Sequence, residues 1–544
     1  MPLDGQADAF ELDLRRDLPR GQERRPQAAG RERNLGARWL APEEMTGKAW
    51  AHQAGGLILG RRAGRVIGWN DDRHLLTIAG SRAGKGVSLI IPNLIAYEGS
   101  AVVIDPKGEN AARTARHRGA GIPAGGKGLG QKVCVLDPYG ESKLASDKFN
   151  PLKNLNANDP DVVEQVGVFA DALITHYDRG ERHWTDSAQA LVRALIMVVL
   201  IDNMFDGRRD LVTMRQLLTL SDEGIDKVIE RQFASDCEKA RENAIDDHED
   251  PVKAVRKVTR IKKEAALILI LSDQTATFAH ICTGMAAQLE SMGEKERGSV
   301  FSAARTQTQW LDSPKMQAIL TDSSFTLDEL TRQPMTLYLC LPASRMGTHA
   351  RWLRLMIMLA MAALESAPKK PKKPVLFVLD EFAVLGYMQS IETAAGLMAG
   401  YGVKLWPILQ NIGQLMRHYP QTWQTFVANA GCVTAFNVAD DQSLKELARF
   451  IGNTGIVLQV PTGATRSAEM QGTPGLREDR RTVPLLAADE IRLMFGRDTK
   501  RLLVLAVEQL PAVVERFVYH ATDGPDRALF GGRFDPDPDY ATTS

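Results

Sequence analysis

At 544 residues the chain is longer than one hydrophobic core usually serves, so two or more folded units are expected. Hydrophobic residues make up 44% and charged residues 25%, an ordinary globular balance that excludes disorder for the bulk of the chain. Lysine plus arginine equals aspartate plus glutamate at 67 each, which excludes a uniformly basic nucleic-acid binder and confines any DNA contact to local patches or loops.

Residues 1–35 are rich in Arg, Gly, Pro, Gln and Glu without periodicity and read as a mobile arm. They contain no apolar core of signal-peptide length, so export is not expected and the cytoplasm is the expected compartment. From Ala37-Arg38-Trp39 onward, short apolar, β-branched runs recur: His74–Ala79, Ala101–Asp105, Lys132–Asp137, Thr336–Pro342, Pro374–Asp380, Val403–Gln410, Cys432–Val438 and Arg501–Val507. Continuous apolar runs of this length suit strands buried on both faces, which predicts an α/β fold with a mostly parallel sheet. Between about 159 and 298 the strand-like runs give way to charged, Ala- and Leu-rich helical segments, read as an inserted all-α domain. The expected layout is therefore 36–158 and 299–520 as two parts of one α/β domain, with 521–544 as a tail.

Within the insertion, Trp184, Ala188, Leu191, Ala194, Leu195 and Val198 fall at helical spacing and predict a packing face. The longest apolar stretches, 194–201 and 355–364, fall short of the roughly 18–20 residues a membrane span needs, and no span is expected. Lys369–Lys373 (KKPKK) reads as a solvated connector before a buried strand. The five cysteines are far apart, without metal-ligand spacing, and read as buried thiols in a reducing compartment.

Chemistry concentrates at three strand ends. The first strand, 74–79, runs into Gly80-Ser81-Arg82-Ala83-Gly84-Lys85-Gly86-Val87 and then a helical segment, the arrangement a triphosphate needs. Small residues let backbone N–H groups face the phosphates of ATP, and Lys85 reaches the outer ones. The loop departs from the usual pattern at Ala79 and again at Gly86, where a Ser or Thr would hold Mg2+; Ser88 is a weak substitute. A plain glycine-rich turn is the alternative for this loop taken alone. The strand 374–379 ends in Asp380-Glu381, where Asp380 would hold the magnesium and Glu381 would orient and deprotonate the attacking water. The third strand ends in Gln410, which suits either a γ-phosphate sensor or a cap on the next helix. Together these residues predict a RecA-like, ATP-hydrolysing P-loop motor.

The sequence resembles the type IV secretion coupling proteins, the TraG-type conjugation ATPases. The resemblance rests on Arg82-Ala83-Gly84-Lys85-Gly86-Val87, Ile91-Pro92-Asn93-Leu94, Asp105-Pro106-Lys107-Gly108-Glu109, Asp137-Pro138-Tyr139 and Phe149-Asn150-Pro151-Leu152. It continues through Leu379-Asp380-Glu381-Phe382, Met398-Ala399-Gly400-Tyr401-Gly402 and Gln410-Asn411-Ile412-Gly413-Gln414-Leu415, and so covers roughly residues 38 to 518. In that family Gly86 is the usual residue of the phosphate loop. The resemblance implies a RecA-like domain with an all-α insertion and assembly into a hexameric ring at the cytoplasmic mouth of a secretion channel, at the inner face of the cell membrane. It further implies ATP-driven delivery of a relaxase with its single-stranded DNA, or of a protein effector. Members typically begin with membrane-spanning helices; none is read here, which leaves three readings: a naturally soluble variant, an anchor borrowed from a partner, or a missing segment. In a ring, a neighbour's arginine would complete the site, with Arg417, Arg449 and Arg466 as candidates and none singled out. Two other readings remain: a recruitment adaptor that binds nucleotide with little turnover, and a duplex-DNA pump or helicase of the same superfamily.

Overall fold

The computed structural model describes residues 36–536 apart from 48–49, 54, 123–125, 176–181, 220–237, 240, 245–266, 269, 273, 275–276 and 462–475. The expected arm at 1–35, Cys237, Arg466 and a large part of 220–266 thus lie outside the described residues.

All eight apolar runs form strands. Apart from a two-residue pairing of Gly121–Ile122 with Gly126–Lys127, the strands in chain order are β1 (Leu57–Arg62), β2 (Arg65–Trp69), β3 (His74–Ala79), β4 (Ala101–Asp105), β5 (Lys132–Leu136), β6 (Met335–Cys340), β7 (Val375–Leu379), β8 (Val403–Leu409) and β9 (Ala430–Phe436). A hairpin of β10 (Asn453–Pro461) and β11 (Leu476–Pro484) precedes β12 (Arg501–Ala506) and β13 (Ala512–Glu515). Eleven strands make one sheet in the order β2-β1-β13-β12-β9-β3-β8-β7-β4-β6-β5. From β9 to β5 all neighbours are parallel. The β12, β13, β1 and β2 side is antiparallel.

The parallel strands are apolar throughout because both faces are covered. Side chains alternate between two cores: Leu76, Ile78, Val102, Ile104, Phe377 and Leu379 enter one, while Leu75, Val103, Leu376, Val378, Trp406 and Ile408 enter the other. Between β3 and β4 runs helix α1 (Gly86–Ala96), and after β4 comes α2 (Glu109–Arg118).

Among the described residues, 137–334 contain helices and no strand. These include α3 (Val162–Leu173), α4 (Arg182–Ile201), α5 (Leu211–Thr219), α6 (Ala279–Ser291), α7 (Glu294–Gln307) and α8 (Pro314–Leu320). The expectation that no segment is long and apolar enough to cross a membrane needs correction: His183–Ile201 meets that test by length and composition. The sequence hid it because Asp186 and Arg193 interrupt the apolar run. Its residues 194–200 are all buried, and α4 packs against α3, α6 and α7, as the spacing of its apolar residues predicted.

Candidate functional site

The buried strand β3 delivers the chain to Gly80 at the carboxyl edge of the sheet. There the Gly80 N–H donates to the Asn437 carbonyl at 3.2 Å, and a Cβ on residue 80 would lie 2.3 Å from that oxygen. Only glycine fits so close an approach. Ser81 and Arg82 are exposed, Ala83 is buried, and Gly84 has φ +84°, a left-handed conformation that glycine adopts without cost. Lys85 then leads into α1, whose first turn, Gly86–Ile90, is wider than α-helical. Val87 packs beneath the loop against the small core around Ile91 and Phe517. Ser88 is buried and its hydroxyl donates to the Gly84 carbonyl at 2.5 Å, so it is committed to the loop's own backbone. It does not replace the hydroxyl missing at Gly86.

One strand, β8, separates β3 from the acid-tipped β7. Lys85 spans that gap: its Nζ lies 3.4 Å from Asp380 Oδ1 and 3.2 Å from Glu381 Oε1. Residues 296 positions apart in the chain thus share one ammonium group. Burial pushes the Asp380 carboxyl up, and the neighbouring Glu381 charge adds to this while Lys85 opposes it. Glu381 has φ +57°, a strained conformation for a non-glycine residue and one that recurs at functional sites.

Gln410 follows β8 and donates from Nε2 to Glu381 Oε2 at 3.0 Å. It does not cap the next helix, α10 (Ile412–His418); that work falls to Asn411, whose side chain accepts from Gln414 N at 2.9 Å. Phosphate loop, amide and carboxylate pair therefore converge because three adjacent parallel strands end at the same edge.

Two residues to which sequence reasoning gave no site role, Asp105 and Arg516, lie beside the site. Asp105 ends β4, the strand on the far side of β7, and Ile104 pairs with Leu379. Its carboxylate is fully buried and accepts from the Ala111 N–H at 2.8 Å. Burial, reinforced by the Asp380 charge, pushes it up to about 7. An apolar strand ending in an acid was a usable signal for Asp105, the same one that marked Asp380. Arg516 had none. It is buried beneath the phosphate loop, donates to the Ala83 carbonyl at 2.8 Å and to the Arg497 carbonyl at 2.5 Å, and lies 4.6 Å from the Phe436 ring centroid. Of the candidate arginine fingers, Arg417 is exposed on α10, whereas Arg449 is tied to Glu446 at 2.8 Å.

Among the described residues no group of three or more His, Cys, Asp or Glu side chains converges as a metal cage. Mg2+ bound through one carboxylate, waters and substrate phosphates needs none, and a partly buried, hard oxygen donor such as Asp380 suits that ion.

A parallel sheet with a phosphate loop after one strand, and an acidic strand end two strands away, defines a RecA-like P-loop nucleoside triphosphatase fold. Residues 38–528 match the family model described as type IV secretory system conjugative DNA transfer, and the chain belongs to that family. It is 26% identical over 512 residues to Protein VirD4 of Rhizobium rhizogenes, covering 92% of this chain and 67% of that protein. It is also 26% identical over 507 residues to the conjugal transfer protein TraG of Escherichia coli, covering 86% and 69% respectively. Among solved structures, the unbound bacterial conjugative coupling protein TrwBdeltaN70 superposes with a TM-score of 0.61 at 15% identity, covering 92% of this chain and 98% of that one. TrwB in complex with the non-hydrolysable ATP analogue ADPNP gives 0.58 at 14% identity over the same shares. The complex of TrwB with ADP and Mg2+ gives 0.57 at 15%, covering 92% of this chain and 99% of that one.

Proposed function

We propose that this chain is the ATP-driven coupling protein of a conjugative or type IV transfer system, delivering a relaxase with its single-stranded DNA, or a protein effector, to the secretion channel. The observation that carries this reading is the meeting of Lys85 with Asp380 and Glu381 across β8 at 3.4 and 3.2 Å. In this reading ATP lies along residues 80–87, with Lys85 on the outer phosphates and the loop N–H groups around them. Asp380 holds Mg2+, which would neutralise phosphate charge. Glu381 takes the proton of the attacking water, and Gln410, bonded to Glu381, registers the γ-phosphate. The TrwB complexes with an ATP analogue and with ADP and Mg2+ support these ligands. Copies of the chain assemble as a hexameric ring at the inner face of the membrane, where a neighbour's arginine completes each site.

The test is phosphate release by the purified chain, with and without single-stranded DNA. Wild type hydrolyses ATP and Lys85→Ala does not; turnover surviving that change refutes the assignment. Gly86, which supplies no hydroxyl for the metal, favours the adaptor as the second reading. An adaptor would bind ATP tightly, yet wild type would release phosphate no faster than Glu381→Gln. A duplex-DNA pump would instead prefer double-stranded DNA in the same assay.

A further inference from the structure

The carboxyl-end rim of the sheet continues beyond the acidic strand. Strands β4, β6 and β5 follow β7 in that order, each about 4.8 Å further along. The segments leaving them carry Lys107, Arg345 and Tyr139, in the same order. Tyr139 is fixed in place: its hydroxyl lies 2.9 Å from His349 Nε2 and 3.3 Å from Ser313 Oγ, and its ring meets the imidazole edge-on at 5.8 Å.

Two exposed cations are stationed over this immobilised ring. Lys315, from the first turn of α8, places Nζ 5.2 Å from the centroid. Arg345, from the first turn of the helix Ala343–Glu365 (α9), places its guanidinium carbon at 5.7 Å. A ring holds a cation by its quadrupole without cancelling its charge, unlike a carboxylate. Elsewhere on the surface cations are cancelled, as in Lys153–Asp322 at 2.5 Å and Arg332–Asp328 at 3.0 Å. Among the described residues neither Lys315 nor Arg345 has such a partner, and the nearby Asp312 is taken by Arg215 at 2.6 Å. Lys107 is likewise exposed and unpaired among the described residues. Glu141, on the Tyr139 loop, is the exposed acid of this segment. In a chain whose charges balance overall, this places uncancelled positive charge in an ordered array beside an aromatic ring, two to three strand spacings from Asp380.

We infer that Lys315 and Arg345, held over Tyr139 and continued by Lys107 towards the nucleotide site, grip the phosphodiester backbone of single-stranded DNA. The inference rests on the proposed function and gives it a strand path along the rim of the sheet. Cationic side chains with an aromatic neighbour suit a flexible strand, whose phosphates they neutralise while leaving sequence unread.

The test is fluorescence anisotropy of a labelled oligothymidylate with the full chain, titrated over a range of KCl concentrations, for wild type and for Lys315→Gln/Arg345→Gln. Removing two phosphate contacts should make the plot of log affinity against log salt shallower by about 1.4, at ~0.7 per contact, and weaken binding about tenfold or more near 0.1 M salt. ATP hydrolysis without DNA should be unchanged. Tyr139→Leu should shift the slope in the same direction, whereas Tyr139→Phe, which keeps the ring, should shift it less. An unchanged slope in the double variant, with wild-type binding intact, overturns this inference alone. Loss of poly-L-glutamate binding in place of DNA binding also overturns it, in favour of an acidic protein partner. Failure of the wild type to bind the oligonucleotide overturns both the inference and the function on which it rests.

Discussion

Replacing Gly80 with alanine probes the backbone cradle directly. The added Cβ would stand 2.3 Å from the Asn437 carbonyl oxygen, about 1 Å inside the ~3.3 Å at which a carbon meets an oxygen. Asn437 is poorly placed to yield: its own N–H is held by the Phe495 carbonyl at 2.7 Å, and its φ is already +50°. The loop must move instead. Overpacking of this kind costs about 1–3 kcal/mol of stability, and a shift of about 1 Å in a catalytic loop is worth about a hundredfold in turnover. Gly86→Ala is the matched control, because nothing lies within 4 Å of its added Cβ and the position opens a helix. Phosphate release and thermal unfolding of the two variants, measured side by side, should show Gly80→Ala strongly impaired and Gly86→Ala close to wild type. A Gly80→Ala protein within threefold of wild-type turnover would refute the cradle.

Glu381→Gln removes the proposed base while keeping its shape; ATP binding should persist and phosphate release should fall by about 10²–10⁴, readable by filter binding and single-turnover kinetics. Arg516→Ala withdraws the partner of the Ala83 carbonyl beneath the phosphate loop, and should cost about 1–3 kcal/mol and weaken ATP binding in calorimetry. Asp105 carries a pH dependence, because burial raises it from the ordinary 3.8 to about 7 and the folded chain therefore holds its proton more tightly than the unfolded chain. Its contribution is fully present below about pH 4 and is lost as pH rises through about 7, amounting to at most about 4 kcal/mol. Urea midpoints of Asp105→Asn should consequently vary less between pH 4.5 and 8 than those of wild type, and an identical pH slope would sink that account.

What the sequence disclosed followed from burial. The strands from β9 to β5 sit between two cores, so their apolar runs are uninterrupted and were legible one by one. Their common carboxyl edge then placed Lys85, Asp380, Glu381 and Gln410 without further information. On the antiparallel side only β12 was legible, because β1 and β2 lie in a glycine- and arginine-rich stretch, and β13 is only four residues long. Nor was the β10–β11 hairpin, where Val457 and Leu458 are exposed and, among the described residues 453–458 and 479–484, no side chain is buried. Local sequence also left Gln410 undecided between two partners. The decision was made by its neighbour: Asn411 bonds the helix, which leaves the Gln410 amide for Glu381. Arg516 illustrates a stricter limit, since its meaning depends wholly on a loop 433 positions earlier in the chain.

The position of β8 gives the site a mechanical consequence. Any displacement between the phosphate loop on β3 and the carboxylates on β7 must be taken up across the strand that separates them, and that strand ends in the amide bonded to Glu381. Beyond Gln410 the chain does not run into a slack loop. Asn411 fastens the start of α10, and the Ile412 N–H donates to Ser443 Oγ at 2.8 Å, tying α10 to the helix Asp441–Ile451. That helix leads through Gly452, at φ +92°, directly into β10. The route from the Glu381 carboxylate to the β10–β11 hairpin is therefore a short series of hydrogen bonds and helices, with a glycine joint at its far end. In a transfer motor, movement that begins at the γ-phosphate has this path available to a surface lying outside the main sheet.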